Sequence, residues 1–128
     1  MNIQNKVNIL VLMDAHSCRQ VFRIQRYILF HDQHFILITN ENHCELLRME
    51  DVNGITQLFS ASSEEIYDIL LDYKLPNLVI QKGMTYRAVG LMFTEDIKVD
   101  ESRAYKFKLS GEEESIDLMP YLQHLNEQ

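Results

Sequence analysis

The stretch Cys18–Phe30, CRQVFRIQRYILF, decides how the rest of the chain can be assembled. Wound as a helix at about 100° per residue, it gathers Cys18, Val21, Phe22, Ile28 and Leu29 on one face, with Ile24 at the edge. Arg19, Arg23 and Arg26 then line the opposite side. Drawn out as a strand, it places Phe22, Ile24, Ile28 and Phe30 together, and Arg26 interrupts them. The helix is the preferred reading, although the β-branched and aromatic content pulls the other way.

The flanks are more decided. Val7–Met13 (VNILVLM) is almost continuously apolar, which suits a strand buried on both faces. Asp14 and Ser17 then offer helix N-caps. Downstream, Phe35–Thr39 and Cys44–Met49 surround the turn-prone residues Asn40, Glu41, Asn42 and His43, which predicts two antiparallel strands. A hairpin this apolar needs further strands or a covering helix. After a turn at Asp51–Gly54, Ile55–Phe59 is a third short strand.

Ser62–Lys74 carries the clearest helical signal. Ser62 and Glu65 have capping-box spacing, and Glu64 and Glu65 complement the positive end of the helix dipole. Ile66, Ile69, Leu70 and Tyr73 form one buried stripe, and Pro76 ends the segment. Leu78–Ile80 and Tyr86–Thr94 follow as strands, the second with Gly90 as a bulge. Tyr105, Phe107 and Leu109 alternate with Lys106 and Lys108, as in an edge strand guarded by charge. Leu118, Tyr121, Leu122 and Leu125 mark a short terminal helix, with Pro120 near its start.

With residues 18–30 helical, the expected fold is α+β: a ferredoxin-like βαββαβ sheet extended by a C-terminal β-hairpin and a short terminal helix. With them extended, it becomes a strongly bent antiparallel sheet packed on one or two helices. Either way the 128 residues make a single domain, 1–128.

A hydrophobic fraction of 46% with four glycines and two prolines is enough for a packed core. The net charge of -7 argues against nucleic acid as a partner, because phosphate binders present basic surfaces. No apolar run approaches the ~20 residues of a membrane span, and no secretory leader pattern is visible. The two cysteines do not make a disulfide framework, so a cytoplasmic location with reduced thiols is expected.

Charge is uneven along the chain. Residues 1–30 carry Lys6, Arg19, Arg23 and Arg26 against Asp14 alone, whereas acids dominate from Glu95 onward. Arg19, Arg23 and Arg26 are the candidate partner-binding residues, able to grip carboxylates or phosphates. His16, Cys18, His31, His34, His43 and Cys44 gather zinc-type donors between residues 16 and 44, but in no established ligand spacing. Cys18 beside Arg19 and His16 is the better candidate nucleophile. No phosphate-cradling loop, nucleophile elbow or H-E-x-x-H helix is present, so no catalytic residues, metal site or cofactor are assigned.

The favoured function is a non-enzymatic protein-binding module of adaptor, inhibitor or chaperone type, with a protein partner or self-association, of which a homodimer is one form, as the expected partnership. The alternatives are a regulatory small-molecule-binding domain and a small enzyme or zinc protein built on the His/Cys cluster.

Overall fold

The deciding stretch is extended. The computed structural model describes residues 7–41, 43–79, 83–94 and 115–124, and in it Arg19–Phe30 is one long strand. The described strands are β1 (Val7–Asp14), β2 (Arg19–Phe30), β3 (Gln33–Asn40), β4 (His43–Val52), β5 (Ile55–Ser60) and β6 (Thr85–Thr94). Each pairs antiparallel with the next, and β6 returns to pair with β1, closing a six-stranded barrel. Among the described residues one short α-helix, α1 (Ser63–Leu70), lies in the connection from β5 to β6. The α+β ferredoxin-like arrangement is therefore overturned: the fold is mostly sheet and closed on itself.

A bulge accounts for the helical look of β2. Ile24 faces Ile38 on β3, yet Arg26 already faces Leu37, so Gln25 is an extra residue in the ladder. The phase of the pleat slips by one there. Phe22, Ile24 and Tyr27 thus point into the barrel, while Val21 and Ile28 join clusters on its outer surface. Arg19, Arg23 and Arg26 all take outward positions, at steps of four and three that imitate a helix. Without the slip, Arg26 would point into the core.

The interior is filled by Leu10, Leu12, Phe22, Ile24, Tyr27, Ile36, Ile38, Leu47, Met49, Leu58, Tyr86, Ala88 and Leu118. Six strands enclose less space than the eight-stranded barrels whose side chains just fill them. β1 is buried on both faces as expected, with Ile9, Val11 and Met13 in an outer cluster alongside Val21 and Val89. A second bulge lies beside Gly90: Val11 faces Gly90, but Leu12 faces Ala88.

The barrel closes through an unusual seam. β5 and β6 pair only from Gln57–Arg87 to Phe59–Thr85. Continued in register, the ladder would next join Thr56 to Ala88. Instead Ile116 stands between them, donating its N–H to the Ala88 carbonyl (2.8 Å) and accepting from the Thr56 N–H (3.2 Å). The Thr56 hydroxyl accepts from the Leu118 N–H (2.7 Å) and donates to Asp117 Oδ1 (3.2 Å). Leu118 itself is fully buried in the core.

Other expectations need correction. Of the strand expected at Leu78–Ile80, Leu78 makes one isolated parallel bridge to Cys44, Val79 is not in a strand, and Ile80 lies outside the described residues. The terminal helix is a 3-10 turn, Met119–His124, whose Tyr121 is exposed. The alternating segment Tyr105–Leu109 and the acids Glu112–Glu114 lie outside the described residues. Among the described residues no helix is long and apolar enough to cross a membrane.

Candidate functional site

α1 begins as its sequence dictates. The Ser62 hydroxyl accepts the Glu65 N–H (3.1 Å) and the Glu65 carboxylate accepts the Ser62 N–H (2.9 Å), a complete capping box. Ile66 and Ile69 then sink into the outer surface of β2, β3 and β4 against Ile28, Phe35, Leu37 and Leu46.

An arginine secures each end. Arg48, outward on β4, donates to both Glu65 oxygens (3.1 and 2.9 Å) and to Glu50 (3.2 and 3.0 Å), with its guanidinium 5.3 Å from the centre of the Phe59 ring. Arg26 lies 4.9 Å over the Tyr73 ring and donates to the Lys74 carbonyl (3.4 Å), fixing the turn after the helix. One of the three candidate partner-binding arginines is thus committed to holding the helix.

Burial alone would raise the Glu65 carboxyl, but the Ser62 N–H and the Arg48 guanidinium outweigh it and hold it below the ordinary carboxylate value. For Arg48, burial opposes the charge, and the Glu50 and Glu65 carboxylates more than compensate. A carboxylate depressed on folding contributes stability that is complete above its unfolded value and is lost as pH falls through the folded one. Arg48→Met is accordingly expected to cost about 1–2 kcal/mol at neutral pH. Its deficit should shrink as pH drops below about 4. Urea unfolding of both proteins from pH 7 to 3 checks this; parallel curves would remove Glu65 from the account.

The outer side of α1 is divided in two. Tyr67, Leu70 and Leu71 are 69, 47 and 72% exposed, at the i, i+3, i+4 spacing of one ridge. Glu64, Asp68 and Asp72, also exposed, run along the other flank. Leu70 was expected inside and lies outside. Tyr67 and Leu71 did not figure in the sequence reading at all. The signal was there: the buried stripe left both large apolar side chains without a place in the core.

The His/Cys cluster is dispersed. His16 and Cys18 sit in the turn between β1 and β2, whereas His31 and His34 lie at the far end of the twelve-residue β2. The side chain of His43 lies outside the described residues. Among the described residues no group of three or more His, Cys, Asp or Glu could hold a metal ion. Burial pushes the Cys44 thiol above its ordinary value, which disfavours the thiolate.

Both barrel mouths carry open clefts. One, about 570 Å³, is lined by residues including Asp32, His34, Arg48, Glu50 and Met119. Its His34 meets the hydroxyl of the buried Tyr27 at Nδ1, 2.6 Å away. The other, about 250 Å³, includes Asp14, Ser17, Tyr86 and Arg87. There burial, reinforced by the charges of Glu45 and Asp14, pushes the Tyr86 phenol up to about 12. A phenol held neutral in this way is a poor base at neutral pH.

Comparison of the chain with known protein families, with characterised proteins and with solved structures finds no match to any of them.

Proposed function

We propose that the chain is a non-enzymatic protein-binding module whose docking surface is the outer side of α1. The observation that carries this is the exposed ridge of Tyr67, Leu70 and Leu71 on a helix fixed at both ends. Contiguous apolar side chains left in water mark interaction surfaces, and tyrosine is enriched among the residues that dominate binding energy. The two arginine anchors mean that little ordering entropy is lost when a partner docks.

The acids beside the ridge define the partner's chemistry. Glu64, Asp68 and Asp72 match a segment that carries a basic row next to an apolar one, such as an amphipathic helix with lysines flanking leucines. The filled barrel then serves as a rigid scaffold.

A dye-labelled amphipathic Leu/Lys helical peptide serves as the probe, followed by fluorescence anisotropy. Saturable binding is expected, and the double variant Tyr67→Ser, Leu71→Ser should weaken it at least tenfold, about 1.4 kcal/mol. Because both side chains are exposed, unfolding should move by less than about 0.5 kcal/mol. Equal binding by the variant would overturn the assignment.

A further inference from the structure

We infer that the seam between β5 and β6 is a strand-accepting slot, filled by Ser115–Leu118 of the same chain and able to take that segment from a second copy. The slot is complementary to the segment at every described point. The Thr56 N–H and the Ala88 carbonyl, which would otherwise face each other in the ladder, are both satisfied by Ile116. The Thr56 hydroxyl reads the Leu118 N–H and the Asp117 carboxylate together. Arg87 donates to the Ser115 hydroxyl (3.3 Å), and the barrel core accepts the whole Leu118 side chain. A short segment thereby completes a sheet and a core built by the six strands.

Such a segment makes identical contacts whether it comes from its own chain or from a neighbour's. The choice between them is set by tethering. Residues 95–114 separate Thr94 from the segment, and twenty residues span at most about 66–72 Å when fully extended. That reach allows exchange between adjacent barrels. Because the connection keeps the segment covalently linked to its own barrel, the monomer prevails when dilute and the exchanged dimer gains as concentration rises. The slot lies on a different wall from α1, and the inference does not depend on the docking role proposed for the helix.

The test uses full-length chains in a Cys18→Ser, Cys44→Ser background. One chain carries Ser115→Cys and the other Arg87→Cys. They are unfolded together in urea, refolded at high and at low concentration, and treated with a short bismaleimide. A crosslinked heterodimer is expected after concentrated refolding and should be nearly absent after dilute refolding. Adding Leu118→Asp to the Ser115→Cys chain should abolish the crosslink. Wild-type protein followed by light scattering keeps the test independent of whether the variants fold: a concentration-dependent dimer is expected after refolding. A strict monomer at the highest concentration would overturn the inference. A wild-type dimer whose seam variants fold yet give no heterodimer crosslink would overturn it equally, because association would then use another surface.

Discussion

Leu118→Ala is expected to lower the free energy of unfolding by about 3 kcal/mol, a large share of the 5–15 kcal/mol typical of a domain. The Leu118 side chain is fully buried among the inward residues of the barrel, and its N–H is bonded to the Thr56 hydroxyl. Truncation would leave a cavity with little freedom to collapse, since the surrounding wall is a closed sheet. Urea unfolding followed by circular dichroism measures the change, and a loss below about 1 kcal/mol would show that the segment is peripheral. Removal of everything after Gly111 should be worse, because the seam bonds of Ile116 disappear with the side chain.

The second large effect lies in β2. Phe22→Ala should cost about 3–5 kcal/mol, because the ring is fully buried and meets Tyr86 edge-on with centroids 6.5 Å apart. Leu29→Ala is its counterpart. In a helix, Leu29 shares the buried face of Phe22, and both substitutions would be severe. In the barrel Leu29 is 48% exposed, so its loss should stay within about 0.5–1 kcal/mol. Thermal or urea unfolding of the pair reads the conformation of this stretch without any structure determination, and comparable losses would argue for the helix.

What could be read from residues alone was local. The capping box at Ser62 and Glu65, the hairpin around Glu41, the two-faced burial of Ile9–Met13 and the bulge beside Gly90 each leave a mark within a few positions. The conformation of Cys18–Phe30 was hidden because Gln25 breaks the alternation that identifies a strand and spaces the arginines like a helix. Barrel closure was hidden for another reason. β1 meets β6 across most of the chain, and nothing in either strand encodes the other's address. Of the candidate site, the helix was legible, but its exposed ridge was not, since amphipathicity was read as a single stripe. The arginines share the outer face of a bulged strand and not the helical face expected of them, with Arg26 turned to internal use.

The closure of β1 by β6 also sets an order of events during synthesis. β1 gains one neighbour as soon as β2 is made, but its other edge stays open until β6 emerges. Between Asp14 and Thr94 the ribosome must add eighty residues, which takes roughly 4–16 s at cellular elongation rates. For that interval a strand that the finished barrel buries on both faces presents unpaired backbone groups to its surroundings, the condition under which edge strands aggregate. The mature barrel conceals this hazard completely. Cellular yield should therefore respond to the supply of chaperones that shield nascent chains more strongly than the stability of the finished protein would suggest.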